Sequence, residues 1–168
     1  ISRRGPAGIG QPGKNEISPA ELAARVATND ALVVDLSPSR DYDKGHVPGA
    51  WWAVRARLAE SLPRLPQKSL LVLTSPDAVV ARLAAPEASQ LTAMPVAVLT
   101  GGMAAWEAAG QSLEKGLTNM ADERDDTWMK PYDSDSNVED RMRAYLTWEV
   151  DLLQDIERDG DHRFQLFK

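Results

Sequence analysis

"LLVLTSPDAVVARLAA", residues 70–85, decides the fold. An apolar run stops at Thr74, and a helix-like pattern begins just after Asp77. A buried strand that turns abruptly into a helix is where α/β proteins expose nucleophiles and cradle anions. Ser75 stands on that turn. Its hydroxyl has four candidate roles: nucleophile, anion ligand, helix cap, or replacement for another residue.

The flanking sequence repeats the device. "ALVVDL" (31–36) and "VAVLTGG" (96–102) are short Val-rich runs bounded by polar turns, which predict two further buried strands. Between them lie helical patterns. Ser18, Pro19 and Glu21 form a helix start, with a cap, a first-turn proline and a capping-box glutamate. "VRARLAESL" (54–62) predicts a helix closed by Pro63. "AVVARLAAPEASQL" (78–91) predicts a helix that Pro86 kinks or splits. "MAAWEAAG" (103–110) predicts a helix ending at Gly110. "SPSRDYDKGHVPGA" (37–50) reads as a long polar loop and "AWWAV" as a short edge strand. Strand and helix alternating at short spacing predict an α/β fold, a short parallel sheet with helices on both faces.

The composition agrees. The chain has 168 residues, 43% hydrophobic and 26% charged, the balance of an ordinary globular domain. No apolar run approaches a membrane span of about 18 residues. No signal peptide is visible. With no cysteine, the chain has no disulfide, thiolate metal site or thiol chemistry, which suits a reducing, cytoplasmic setting. The two histidines, His46 and His162, lie far apart, so no metal or other cofactor is expected. Residues 1–118 carry a net charge of +1 and residues 119–168 carry −7. Nothing resembles the basic stripe of a nucleic-acid surface.

Three segments are expected: a Gly- and Pro-rich linker or arm over 1–15, a folded domain over 16–112, and an acidic C-terminal extension over 113–168. In the extension, "DERDDTWMKPYDSDS" reads as a polar connector. "NVEDRMRAYLTWEVDLLQDIERDG" reads as a long amphipathic helix of roughly 35 Å, opened by a Ser136–Glu139 capping box and closed by Gly160. Val138, Met142, Tyr145, Leu146, Leu152, Leu153 and Ile156 share one face. That face packs on the domain body, on another subunit or on a neighbouring domain. "DSDSNVED" imitates a calcium loop but lacks its Gly and Glu. The tryptophans are expected to pack rather than to form stacking platforms.

Four motifs occur in order. They are Val34-Asp35, Arg40-Asp41-Tyr42, Gly45-His46-Val47-Pro48-Gly49-Ala50, and Leu99-Thr100-Gly101-Gly102-Met103-Ala104-Ala105-Trp106. Together they resemble the rhodanese-like sulfurtransferase family over about residues 17–112. The resemblance implies a strand-end loop that starts on a catalytic Cys. That Cys takes a sulfane sulfur from a thiosulfate-like anion as a persulfide, backbone N–H groups stabilise it, and the sulfur passes to a thiophilic acceptor. The Cys position falls on Ser75, and the loop is Pro76, Asp77, Ala78, Val79 and Val80. Asp35 and Arg40 are implied to support the site, and His46 to be structural.

The residues depart from that pattern. Serine is a weak nucleophile without an adjacent base. Pro76 deletes a backbone donor, and Asp77 puts a negative charge where an anion would sit. The usual Gly and Arg positions are Ala78 and Val80. "SPD" also makes a good helix start, with Ser75 as the cap, and Arg82 is expected on the helix surface. The missing initiator Met and the linker-like N-terminus point to one module of a longer protein, and the tail resembles the end of bacterial proteins with tandem rhodanese modules. The implied partners are other rhodanese modules of the parent chain or a second copy through the C-terminal helix. The expected function is that of a silent module acting as a scaffold or docking domain. The alternatives are a sulfurtransferase whose Cys was replaced by Ser, and a small-anion binder.

Overall fold

Side-chain alternation along the three Val- and Leu-rich strands places two apolar faces back to back. The computed structural model describes residues 15–127 and 138–160, and the chain divides into two units after Thr127. In the first unit the order is β1 (Glu16–Ile17), α1 (Pro19–Ala27), β2 (Ala31–Asp35), α2 (Ser39–Lys44), β3 (Trp51–Trp52), α3 (Leu58–Ser61), β4 (Leu70–Thr74), α4 (Val79–Leu91), β5 (Val96–Leu99) and α5 (Gly102–Ala108). The strands form one parallel sheet in the order β1-β5-β4-β2-β3. Leu32, Val34, Leu71, Leu73, Val96 and Val98 face α3 and α4. Val33, Val72, Ala97 and Leu99 face the other side, against Leu22 of α1, Tyr42 of α2, and Met103 and Trp106 of α5. Coverage on both faces is why these strands read as continuous apolar runs rather than as alternations.

The start of α1 is as expected: the Ser18 hydroxyl accepts from the Glu21 N–H, and the Glu21 carboxylate accepts from the Ser18 N–H. Other elements differ from the sequence-based expectation. The 37–50 loop contains α2, a six-residue helix whose start is held from a distance, because the Ser39 N–H donates to Asp126 Oδ2 at 2.8 Å. Tyr42 anchors it to the core. The 54–62 helix is a single α-helical turn flanked by 3₁₀ turns over 55–57 and 62–64. Helix α4 runs through Pro86 rather than splitting. Pro86 is exposed, so water can take the carbonyl whose N–H partner the proline lacks. Strand β1 was not expected: it is two residues long and gets its identity from pairing with Val98 and Leu99.

The compact unit runs past the expected boundary at residue 112. Residues 113–127 fold back as a strap across its surface. The Glu114 N–H donates to the His46 carbonyl and the His46 N–H to the Glu114 carbonyl. The Trp52 N–H donates to the Asn119 carbonyl, and the Ala121 N–H donates to the Trp52 carbonyl. Asp122 accepts from the Val54 N–H and from the Ser61 hydroxyl, and Asp125 holds Arg57 through two bonds of 2.8 and 2.7 Å. The described part of the expected polar connector is therefore a set of acidic anchors.

In the second unit, α6 (Val138–Asp159) is one 22-residue helix with no buried residue. Gly160 closes it with φ 64°. Trp148 is 48% exposed, contrary to the expectation that the tryptophans pack. Trp52 and Trp106 do pack, each donating its indole N–H to a carbonyl, of Ser37 and Ser112. Trp128, the Ser136 half of the expected capping box and the calcium-loop look-alike residues Asp133 and Asp135 lie outside the described residues. No helix among the described residues is long and apolar enough to cross a membrane.

Candidate functional site

Strand β4 ends at Thr74, and the chain reverses through Ser75–Ala78 before α4 begins at Val79. Ser75 is fully buried at the strand's carboxyl end, while Pro76 and Asp77 are exposed. Ser75 is not the helix cap that "SPD" suggests. The N-cap position is Ala78, at φ 66°. A left-handed alanine is disfavoured by about 1–2 kcal/mol. Its methyl group is fully buried among Leu73, Ala81 and their neighbours, which offsets part of that strain.

Three N–H groups at this turn are engaged locally. The Ala81 N–H donates to Ser75 Oγ at 3.3 Å. The Val79 N–H donates to Asp77 Oδ1 at 3.0 Å. The Ala78 N–H turns back to the Ser75 carbonyl at 3.4 Å, and Pro76 has no N–H to offer. Val80, the second residue of α4, is half-buried, so an aliphatic side chain stands at the expected basic position. The Asp77 carboxylate thus sits where the helix start would attract a foreign anion, and it satisfies one of the helix's orphan donors.

Helix α5 braces this turn from the side. The Met103 N–H donates to the Ser75 carbonyl at 3.0 Å, and the Ala104 N–H to the Pro76 carbonyl at 3.0 Å. The approach is so close that a Cβ on Gly102 would stand 2.1 Å from the Ser75 carbonyl oxygen and 2.5 Å from the Ala78 nitrogen. A cleft of about 480 Å³ opens beside the turn, walled by Ser37, Lys44, Pro76, Ala104, Glu107 and Lys115. Ser75 does not line it.

Asp35 is fully buried beside Thr74, its register partner on β4. Its Oδ1 accepts from the Ser37 N–H at 2.8 Å, as expected of a residue that holds a strand-end loop. Its Oδ2 and the Thr74 hydroxyl have no hydrogen-bond partner. Burial raises the Asp35 pKa above the ordinary carboxylate range, against the opposing pull of the Ser37 bonds. Arg40 lies half-buried on α2. His46 is fully buried, stacked on the Tyr42 ring at 3.7 Å, with Nδ1 against the Tyr42 carbonyl at 2.7 Å and Nε2 against the Thr118 hydroxyl at 3.2 Å. Both ring nitrogens are occupied, which fits the structural role expected of it. Arg82 is not a loose surface cation: its Nε donates to Glu16 Oε1 at 2.8 Å and ties α4 to β1.

Sequence reasoning missed Glu114, whose carboxylate accepts from the Gly49 N–H at 2.7 Å. That bond chiefly holds its pKa below the usual range. It also missed Asp122 and Asp126. Their signal was an acidic cluster indistinguishable in the sequence from a solvated linker. Among the described residues no group of histidine, aspartate or glutamate could hold a metal ion.

Comparison with known proteins agrees with this geometry. A thiosulfate sulfurtransferase from Pseudomonas aeruginosa is 36% identical, covers 95% of this chain and superposes with a TM-score of 0.84. The match takes in 30% of that chain's length. An HTH-type transcriptional regulator from Mycobacterium tuberculosis is 32% identical over 117 residues, 64% of this chain and 48% of the regulator. This chain therefore spans about half or less of either protein's length. A rhodanese-related protein from Thermoplasma volcanium, 17% identical with a TM-score of 0.53 over 60% of this chain and 97% of that one, shares the fold alone. The rhodanese-like domain pattern matches residues 18–109, more than half of the chain, and with the sheet order and the strand-end turn it places this protein in the rhodanese-like domain family.

Proposed function

We propose that this chain is a catalytically silent rhodanese-like module, a pseudoenzyme that serves as a structural or docking part of a larger cytoplasmic sulfurtransferase. The observation that carries the reading is the state of the turn. Ser75 stands where the family resemblance puts the nucleophile, and the donors of Ala81 and Val79 are taken up by Ser75 Oγ and Asp77 Oδ1. Persulfide chemistry needs a thiolate, which a hydroxyl does not replace. An activated serine would need a base within hydrogen-bond reach, and neither His46 nitrogen is available.

The test is thiosulfate:cyanide sulfur transfer by the purified chain beside Ser75→Ala. Equal, background-level rates are expected. Turnover by the Ser75 protein that Ser75→Ala abolishes would overturn the reading.

A second reading is favoured by one observation: the Ala81 N–H still points at the position 75 side chain. A sulfur placed there would receive a helix-start donor. Under this reading the chain is a thiosulfate sulfurtransferase domain with its Cys replaced, and Ser75→Cys would gain one sulfur atom by mass spectrometry after thiosulfate treatment. Pro76 and Asp77 make weak loading the expected result. Small-anion binding at the Ser75 turn, without turnover, is a third reading. It predicts a rise in melting temperature with thiosulfate, sulfate or phosphate.

A further inference from the structure

Helix α6 leaves its large apolar side chains open, with Met142 42%, Leu146 55% and Leu153 64% exposed. Along one face, Val138, Met142, Tyr145, Glu149, Leu152 and Ile156 are spaced four and three residues apart in alternation. That is the seam of a two-stranded coil, with one misfit at Glu149. The charges are segregated. Residues 138–148 balance Glu139 and Asp140 against Arg141 and Arg143, whereas residues 149–159 carry five acids against Arg158. A parallel pair of such helices would set acid against acid along half its length. An antiparallel pair sets arginines against acids.

We propose that the apolar face of α6 pairs antiparallel with the same helix of a second copy of this chain, about a two-fold axis near residue 147. One register matches every seam position. Val138 meets the partner's Ile156, Met142 meets the partner's Leu152, and Tyr145 meets the partner's Glu149. The misfit then has a purpose: the tyrosine hydroxyl donates to that carboxylate, and such a polar pair in a seam fixes register. On the flanks, Arg141 faces the partner's Asp155. Asp155 is already paired with Arg158 on its own helix at 2.7 Å, so the contact makes a three-membered charge cluster. Leu146 and Trp148, 55% and 48% exposed, meet their own copies beside the axis. The inference is independent of whether the Ser75 turn is silent.

Sedimentation equilibrium of the full chain, to about 1 mM, should show a mass rising from 18.4 kDa towards twice that value. Arg141→Asp and Asp155→Arg should each weaken association at least tenfold, and the double swap should restore it. Positions 141 and 155 lie about 21 Å apart along a helix, so only an antiparallel pair allows that rescue. The chain has no cysteine, so single-Cys variants are clean probes. Under oxidation a mixture of Met142→Cys and Leu152→Cys should cross-link, and neither alone should, because like positions lie about 15 Å apart along the axis. All these positions are exposed or on a helix without buried residues, so the variants keep the fold. A monomeric mass throughout, self-cross-linking of Met142→Cys alone, or failure of the double swap to restore association would each overturn the proposal.

Discussion

Gly102→Ala tests the contact between α5 and the Ser75 turn. The added Cβ would meet the Ser75 carbonyl oxygen at 2.1 Å and the Ala78 nitrogen at 2.5 Å. Both are backbone atoms and cannot rotate away, so the start of α5 or the turn must move. Movement breaks or stretches the bonds from the Met103 and Ala104 N–H groups, which are both 3.0 Å long. Each contributes about 1 kcal/mol net. Alanine at φ 64° adds about 1–2 kcal/mol of backbone strain. The stiffer unfolded chain returns about 0.4–1 kcal/mol. The expected loss is therefore about 3 kcal/mol. Gly49→Ala is the matched control: its φ is 74°, and nothing lies within 4 Å of the added Cβ. It should show the strain alone, about 1 kcal/mol. Urea unfolding followed by Trp fluorescence, which the buried Trp106 of α5 reports, measures both. If the two variants lose equal stability, the close approach of α5 to the turn is wrong.

Asp35→Asn probes the buried carboxyl. The folded-state pKa of Asp35 is raised, chiefly by burial. Its stabilising contribution is therefore full below the ordinary carboxylate range and is lost as pH rises through the folded-state value. The stability of Asp35→Asn relative to wild type should climb with pH across that window in urea titrations; a constant or falling difference sinks the assignment. Glu114 has the opposite sign, since its pKa is lowered by the Gly49 N–H. Its contribution is present above the ordinary range and fades in acid, so Glu114→Gln should flatten the acid limb of the stability profile; an unchanged limb would count against this assignment. Tyr42→Phe removes a hydroxyl that lies 2.6 Å from the Ala50 carbonyl and 2.7 Å from the Thr118 carbonyl. It should destabilise by about 1–3 kcal/mol and raise hydrogen exchange in residues 113–127; unaltered exchange there would refute its role in holding the strap.

The sheet's three central strands were legible because each is a Val- or Leu-rich run cut off by polar turns, as in Ala31–Asp35 and Leu70–Thr74. The Ser18–Glu21 helix start was legible because a capping box is wholly local. What sequence reading missed depends on distant partners. Helix α2 starts on an aspartate 87 positions away. Strand β1 is defined by β5, and the strap by the atoms it touches. Ser75 was placed at the strand-end turn, but its assignment as a cap failed. Proline and aspartate after serine suit an immediate helix start, yet the chain first makes a left-handed turn at Ala78. That turn is set by packing against Gly102, which no local pattern reveals.

The strap bears on how the domain should be cut. Strand β3 is the last strand on its side of the sheet, and the strap occupies the backbone groups of Trp52 through Asn119 and Ala121. An exposed edge carrying adjacent tryptophans invites strand-to-strand association with other molecules. The recognisable pattern ends at residue 109, before the strap begins. A fragment cut at that C-terminal limit would keep every strand and helix of the sheet layer and still expose an adhesive edge. Fragments ending at residue 127 should remain in solution where those ending near 110 precipitate.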